Sequence, residues 1–212
     1  MSASVVPIRQ VAGDYDALPP AMRAARRWLL WRSMPSDDPS KKPRKVPFYA
    51  SGLPRTGRLD SPEDIQKLVD LPAALVALEV GTYTGLGFAL GPDGTGSYWQ
   101  GVDLDNIDVR EGLREVAGGL PGYVETSPSG AGLHALGYGR DFDTLASNKS
   151  GAEAYAHGRF FTVTGGRVGE GEPACIADFV EQDLATFYRA MGHSPGGCGA
   201  ASRLSNSVTM KS

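Results

Sequence analysis

Two aspartates separated by one residue could form a metal site in this 212-residue chain. Asp103 and Asp105 end a Gly-Val-Asp-Leu-Asp segment, whose apolar residues favour a β-strand. Alternate residues of a strand project to the same side, about 6–7 Å apart along the backbone. The two carboxylates would then offer the oxygen ligands that Mg²⁺ and Mn²⁺ prefer. The pattern also fits an acidic strand end that is solvated or caps the next helix.

A glycine-rich loop follows at residues 127–134, which read Ser-Pro-Ser-Gly-Ala-Gly-Leu-His. Glycines let a ligand approach the backbone closely, and N–H groups of such a loop can hold phosphate. Ser129 and Gly130 lie in the loop, and His134 lies on the strand predicted after it. Its side chain could therefore reach whatever the loop holds. An ordinary tight hairpin followed by a packed histidine gives the same pattern.

A third acid, Glu153, lies in a later strand-like segment. Glu153 and Tyr155 share one face of that strand, and the alanines beside them take the other. A charged side chain beside an apolar sheet costs free energy unless it is paired or bound to metal. The segment therefore predicts a third metal ligand, or else an edge hairpin with Glu153 in solvent.

In order and spacing, the three segments resemble the motifs of the archaeo-eukaryotic primase superfamily. That family has an Asp-hydrophobic-Asp strand, a Ser-Gly-x-Gly-x-His loop and strand, and an acid on a later strand. The chain resembles phage and plasmid primase–polymerases in particular, through Lys-Pro-Arg-Lys-Val-Pro-Phe at residues 42–48 and Gly-Arg-Phe-Phe-Thr-Val-Thr-Gly at residues 158–165. The resemblance covers roughly residues 25–190.

The resemblance implies an α+β (α/β) fold, with an RRM-like antiparallel-sheet catalytic core and a smaller N-terminal α/β module. It implies a metal-dependent nucleotidyltransferase, a DNA primase/polymerase domain that copies a single-stranded DNA template from nucleoside triphosphates in phage or plasmid replication. The residues implied to be catalytic, and to bind two Mg²⁺ or Mn²⁺ ions, are Asp103, Asp105 and Glu153. The residues implied to bind nucleotide are Ser129, Gly130, His134 and Arg159.

The charge distribution suggests where phosphates could bind. Residues 1–60 hold 11 Lys and Arg against 5 Asp and Glu, and the remainder holds 10 against 19. A basic front beside an acidic site fits a phosphate-binding surface, although chance asymmetry gives the same counts. Lys42, Arg44 and Lys45 could line the path of nucleic acid or triphosphate, or form a solvated loop. A structural ion pair is the alternative for Arg159.

Two other functions fit the same residues. One is a catalytically weak module that binds nucleotide or DNA during replication initiation. The other is a metal-dependent nuclease or phosphoesterase, which would have no use for a triphosphate-binding loop. Many relatives continue into a helicase domain, so a replicative helicase acting in trans is an expected partner.

Composition indicates a soluble cytoplasmic protein. Hydrophobic residues make up 41% of the chain, its net charge is -3, and it has 2 cysteines, too few for a disulfide framework. Neither a signal peptide nor an apolar run of transmembrane length is visible, so no membrane contact is expected.

The pattern of turns and apolar runs predicts one catalytic domain at residues 21–191, between a flexible N-terminus (1–20) and a disordered tail or linker (192–212). Strands are predicted at residues 28–32, 44–49, 87–90, 98–104, 123–126, 133–138, 152–156 and 159–164. Helices are predicted at residues 21–27, 61–69, 73–78, 109–116 and 176–191. His157-Gly158 predicts a hairpin between the last two strands.

Overall fold

A computed structural model describes residues 13–38, 40–147 and 149–192 of the chain. The flexible N-terminus predicted at residues 1–20 and the tail predicted at 192–212 lie mostly outside these residues. The described part consists of two antiparallel sheets and a few short helices, which confirms the predicted α+β class.

In the described residues, ten strands build the two sheets. They are β1 (Trp28–Met34), β2 (Arg44–Phe48), β3 (Gly85–Ala89), β4 (Gly91–Pro92), β5 (Tyr98–Leu104), β6 (Tyr123–Thr126), β7 (Leu133–Gly139), β8 (Leu145–Ser147), β9 (Ala152–Tyr155) and β10 (Phe160–Val163). The first sheet has the order β10-β3-β1-β2. The second has the order β6-β7-β5-β9-β8, and β4 pairs with β5.

The helices are short and lie outside the sheets. They are α1 (Pro20–Ala24), α2 (Pro62–Gln66), α3 (Leu71–Val80), α4 (Leu113–Gly118), α5 (Ala177–Phe179) and α6 (Ala185–Ala190), with a 3₁₀ turn at Tyr15–Ala17 and a π-helical segment at Val180–Leu184 between α5 and α6. Side-chain caps begin two of them, because the Ser61 hydroxyl accepts from the Asp64 amide and the Asp70 carboxylate from the Ala73 amide. In the part of the chain that the structure describes, no helix has the length and apolarity needed to cross a membrane.

The first sheet is completed by a strand from late in the chain. β10 pairs with β3, so the predicted N-terminal α/β module does not consist of N-terminal residues alone. The hairpin predicted at His157-Gly158 is wrong, because β9 pairs with β5 and β8 while β10 belongs to the other sheet. The dipeptide instead connects the two sheets. Gly101 on β5 lets the Phe161 ring of β10 pack closely against the second sheet, since a Cβ at position 101 would lie 2.6 Å from that ring.

Two hydrophobic cores flank the second sheet. One face packs against the C-terminal helix through small and apolar residues such as Val102, Ala135 and Leu184. The other face packs toward the first sheet through larger groups, among them Phe88, Trp99 and Phe161. This double burial fixes the alternation along β5, because each of its residues must face one core or the other.

A buried ionic group, here called the arginine network, lies next to the first sheet and comprises Arg27, Arg55, Asp60 and Asp64. Arg55 donates to Asp64 through Nε (2.9 Å to Oδ1) and Nη2 (2.6 Å to Oδ2). Tyr49 donates its hydroxyl to Asp64, 2.6 Å away. The Asp60 carboxylate in turn accepts from the Gly158 amide at 2.6 Å and so holds the connection between the sheets.

Candidate active site

The candidate site is built on β5, the central strand of the second sheet. Asp103 on β5 is paired with His134 on β7 and with Glu153 on β9. His134 is also paired with Glu125 on β6. Residues directly opposite one another in antiparallel strands project to the same face. Four polar side chains therefore form a row across four strands, in the order Glu125, His134, Asp103, Glu153. This row is called the carboxylate row below.

Asp103 is only partly neutralised within this row. One of its oxygens, Oδ1, lies 3.5 Å from His134 Nε2, and it is buried without a hydrogen-bond partner. Burial raises the pKa of Asp103, with His134 and Lys45 lowering it and Asp105 and Glu153 raising it further. A buried acceptor among like charges is the environment that a bound cation would relieve.

Asp105 lies just beyond the strand. β5 ends at Leu104, and the chain then turns through Asn106, a non-glycine residue with a φ of 57°. The Asp105 amide donates to the Gly151 carbonyl at 2.7 Å, while its side chain is exposed. The predicted strand face therefore holds for Asp103, whereas Asp105 is positioned by the turn that follows.

Glu153 lies beside a tyrosine and an arginine. The Tyr155 hydroxyl donates to the Glu153 carboxylate at 2.7 Å, and the Arg159 guanidinium carbon lies 4.8 Å from the centre of the Tyr155 ring. Burial, then the bond to Glu153, raises the pKa of Tyr155 to about 12. The hydroxyl thus stays a donor at neutral pH, and Arg159 is placed at the edge of the row.

The carboxylates of Asp103, Asp105 and Glu153 offer oxygen ligands for a cation but do not enclose a metal site. Among residues 13–38, 40–147 and 149–192, no group of three or more His, Cys, Asp or Glu side chains is arranged to hold a metal ion. Asp103 and Glu153 face the same side from adjacent strands, and the charge of Asp105 acts on Asp103. Oxygen donors and an unpartnered Asp103 oxygen fit a hard divalent cation.

The glycine-rich loop packs against the strand that carries the aspartates. A Cβ on Gly132 would lie 2.3 Å from the Leu104 carbonyl oxygen, so this position requires glycine for close backbone approach. The Gly130 amide donates to the Ser127 carbonyl, and the Ala131 amide to the Ser129 hydroxyl. These two amides serve the turn itself, while residues 128–131 are exposed to solvent beside Asp105.

The His134 side chain lies between the two sheets. Its Nδ1 lies 3.1 Å from the Thr162 carbonyl of β10, and its ring lies 5.0 Å from that of Phe161. The side chain is 5% exposed, which leaves Nε2 as the nitrogen directed at Asp103. The first sheet therefore sets the orientation of a histidine that belongs to the second.

Lys45 is the basic residue that β2 brings to the site. Its Nζ lies 3.4 Å from the Thr162 hydroxyl and 5.8 Å from the centre of the Trp31 ring. Desolvation by the surrounding protein lowers the pKa of Lys45, and Asp103 and Asp105 act against this. Lys42 and Arg44 are exposed nearby on the same segment. Their predicted contact with nucleic acid or phosphate stays a prediction.

Sequence reasoning missed Glu125. The residue is 0% exposed, and its carboxylate accepts from the Tyr123 hydroxyl and from the amides of Thr164 and Gly165. The sequence holds a signal for it, because Glu125 shares a strand face with Tyr123 and lies two residues before the glycine-rich loop. An acid on the same strand face as a buried tyrosine is itself expected to be buried and to need hydrogen-bond donors.

A separate cavity of about 590 Å³ lies at the other end of β5. Its walls include Arg26, Trp99 and Tyr138. Trp99 lies four residues before Asp103, roughly 13 Å along an extended strand. This cavity is therefore distinct from the carboxylate row.

Comparison with known proteins tests the predicted family resemblance. No protein-family profile matches the chain. Over 187 residues it is 28% identical to the protein named DNA Primase-polymerase of Nitratiruptor phage NrS-1. The match covers 79% of this chain and 24% of that relative, so the chain spans about a quarter of the length of the protein it matches. The similarity confirms the predicted resemblance to phage primase–polymerases.

Proposed function

We propose that this chain is a metal-dependent nucleotidyltransferase that extends a DNA strand on a single-stranded template from nucleoside triphosphates. The observation that carries the proposal is the pairing of Asp103 with both His134 and Glu153, with Asp105 at the strand end. A row with more carboxylates than cationic side chains is suited to bind a divalent metal ion, and through that ion the phosphates of a nucleotide.

Each residue has a role in this proposal. Asp103, Asp105 and Glu153 hold Mg²⁺ or Mn²⁺, and the metal supplies Lewis acidity toward the attacking hydroxyl and charge neutralisation for the leaving pyrophosphate. His134 directs Nε2 to the site and donates to a phosphate oxygen. Ser129 and Gly130 shape the loop that borders the triphosphate. Arg159 and Lys45 contact phosphate as cations.

The test is a primer-extension assay on single-stranded DNA. The wild-type protein is incubated with labelled dNTPs or NTPs, with Mg²⁺ or Mn²⁺, and with or without primer. Metal-dependent extension supports the proposal, and products made without primer would add initiation to it. Degradation of labelled DNA in the absence of triphosphates would instead support a nuclease.

A second candidate is a nucleotide- or DNA-binding module without turnover in replication initiation. The observation that favours it is the lack of a preformed three-ligand metal group in the described residues. It predicts triphosphate binding, measured by calorimetry with dATP and Mg²⁺, together with no extension under any metal. A helicase partner in trans remains a prediction for either candidate.

A further inference from the structure

We propose that the cavity at the far end of β5 from the carboxylate row binds a nucleobase. It lies beside α1 and α2 and has a volume of about 590 Å³. Cavities of this size, with apolar walls and a few polar groups, are typical small-molecule sites. The cavity is separate from the candidate active site, so the inference goes beyond the proposed function and does not depend on it.

Small side chains keep the cavity open. Ala21, Ala24 and Ala25 line it from α1 and the residue that follows this helix, and Ile65 and Pro173 add apolar surface. The three alanines leave space that longer side chains would fill. Apolar walls of this kind admit a neutral planar group at a lower desolvation cost than a charged one.

Tyr138 gives the cavity a fixed aromatic ring. Its hydroxyl donates to the Asp93 carboxylate, and its ring centre lies 5.0 Å from that of Trp99. The residue is half-buried, so part of the ring stays accessible. A ring held in this way loses little conformational freedom when a planar ligand stacks on it. Stacking on aromatic side chains is how proteins bind unpaired bases of any sequence.

Trp99 brings a hydrogen-bond donor that has no acceptor. The residue is 6% exposed and lines the cavity. In the part of the chain that the structure describes, its indole N–H donates to no group, and it is not enclosed as Trp31 Nε1 is. A donor in so buried a residue gains free energy from an acceptor that a ligand supplies. The carbonyl oxygens and ring nitrogens of nucleobases are acceptors of this kind.

Two exposed residues add polar groups to the same wall. Gln66, at the end of α2, makes no hydrogen bond to any described residue through its side chain, so its amide can both donate and accept. Arg26 donates one N–H to the Leu68 carbonyl at 3.3 Å and has further donors. The neighbouring Arg27 is not available, because its guanidinium donates to three backbone carbonyls.

The charges of the wall set the orientation of a nucleotide. Burial raises the pKa of Asp93, but hydrogen bonds from Tyr138 and Thr95 outweigh this and lower it, so the wall carries a negative charge. That charge repels a phosphate, whereas the exposed Arg26 attracts one. The base therefore enters the cavity, and its phosphate stays outside beside Arg26.

The first measurement follows the Trp99 indole N–H in ¹H–¹⁵N spectra of the full chain, with divalent cations removed by a chelator. The chain has 3 tryptophans, and Trp99→Phe identifies the signal. Titration with dAMP should shift it saturably, with a Kd in the millimolar range or lower. The signals of Trp28 and Trp31, which do not line the cavity, should stay in place. Deoxyribose 5-phosphate, which has no base, should cause no shift.

The second measurement uses variants of the wall. Ala24→Leu fills the cavity from an exposed position of α1 and should raise the Kd for dAMP at least about tenfold. Ala73→Leu, the same change at an exposed alanine of α3, is the matched control and should keep the Kd within about twofold. Arg26→Gln should weaken dAMP about tenfold and deoxyadenosine by less than about twofold, because the nucleoside has no phosphate.

Three results would overturn the proposal. They are the absence of a Trp99 shift with millimolar dAMP, an equal shift with deoxyribose 5-phosphate, and an unchanged Kd in Ala24→Leu. An equal loss of dAMP and deoxyadenosine in Arg26→Gln would contradict the orientation with the phosphate outside.

A third titration identifies the source of the base. A single-stranded oligonucleotide of deoxyadenosine that binds at least about tenfold more tightly than dAMP, and loses this in Ala24→Leu, would assign the cavity to single-stranded DNA. Equal Kd values would assign it to free nucleotide, and both results support a nucleobase site. Because the chelator removes the cation that the carboxylate row needs, a chain that fails to extend primers can still pass this test, and the reverse also holds.

Discussion

The molecule contains two groups of carboxylates in contrasting surroundings. In the arginine network, Asp64 accepts from Arg55, Tyr49 and the Asp60 amide, with donor distances of 2.6 to 2.9 Å. Burial would raise the pKa of Asp64, but these hydrogen bonds and the charge of Arg55 lower it to about 2. In the carboxylate row, by contrast, the pKa of Asp103 is raised, first by burial.

The two groups differ in how completely the oxygens of each carboxylate are paired with donors or cations. Asp60 Oδ1 also lacks a hydrogen bond, but Arg55 and Arg27 guanidinium nitrogens lie 3.5 and 3.8 Å from it. Asp103 Oδ1 has the His134 ring at 3.5 Å and no guanidinium among the groups that shift its pKa. The hydrogen-bonded Asp64 carboxylate supports the fold, whereas Asp103 Oδ1, which has no hydrogen bond, is available to a cation.

The largest expected effect is the loss of activity when the row is neutralised. Asp103→Asn and Asp105→Asn should reduce primer extension to background, because each removes a proposed metal ligand while keeping the shape of the side chain. The melting temperature should stay equal or rise, since one of several repelling charges is removed. Asp108→Asn, at an exposed aspartate paired with Arg114, is the matched control. Wild-type rates in both site variants would refute the metal assignment.

The arginine network should respond in the opposite way. Asp64→Asn is expected to lower the free energy of unfolding by about 3–5 kcal/mol, because the buried Arg55 loses its hydrogen-bonded carboxylate and keeps only Asp60, 3.5 Å away. Urea unfolding followed by circular dichroism measures this. Tyr49→Phe, which removes one hydrogen bond and leaves the ion pair, should cost about 1 kcal/mol. A loss below about 1 kcal/mol for Asp64→Asn would show that the two groups do not differ in structural role.

Divalent cations should stabilise the row and leave the network unaffected. Mn²⁺ at about 100 times its Kd should add about 2.7 kcal/mol to the free energy of unfolding, since it binds the folded chain alone. Thermal melts with Mn²⁺, and then with chelator, measure the increment. Glu153→Gln should reduce it, whereas Glu63→Gln, at an exposed acid on α2, should not. An unchanged increment for Glu153→Gln would exclude Glu153 from the metal site.

The smallest effect concerns acid pH. The pKa of Asp64 is lowered to about 2 in the folded chain, so its contribution to stability is complete above the unfolded value and is lost as the pH falls from about 4 to 2. The contribution amounts to about 2 kcal/mol. A carbon-13 titration of the Asp64 carboxyl should show no protonation above about pH 3. A midpoint above pH 4 would contradict the conclusion that hydrogen bonds and Arg55 hold Asp64 in its ionised form.

Much of the second sheet could be predicted from the sequence, because alternation and turn residues act locally. The bounds of β5 and β6 match the predictions, and those of β7 differ by one residue. The predicted helix at residues 109–116 begins later, at Leu113, since Val109 is 83% exposed and has no apolar surface to cover. β8 was not predicted because it has only three residues, although its partner β9 follows closely in the chain. The contacts of Glu125 with the Thr164 and Gly165 amides were not predicted because those residues lie 39 and 40 positions further along the chain.

The error at residues 157–158 has a different origin. Gly158 has a φ of 67°, as a tight turn requires, so the local signal was correctly identified. Which strand pairs with β10 is decided elsewhere, by the Phe161 ring over Gly101 and by the Asp60 carboxylate on the Gly158 amide. Tertiary contacts of this kind leave no pattern in the local sequence. The residues of the candidate site, by contrast, lie in short sequence motifs that could be identified.

The late position of β10 has a consequence for synthesis on the ribosome. A nascent chain that ends before Phe160 contains β1, β2 and β3, but the outer edge of β3 lacks its partner. All five residues of β3 are buried in the finished fold, so that edge is an apolar surface open to aberrant pairing until the last strand emerges. Because β10 also carries the carbonyl that orients His134, sheet closure and completion of the candidate site occur together, and a protein stalled upstream of that strand has neither.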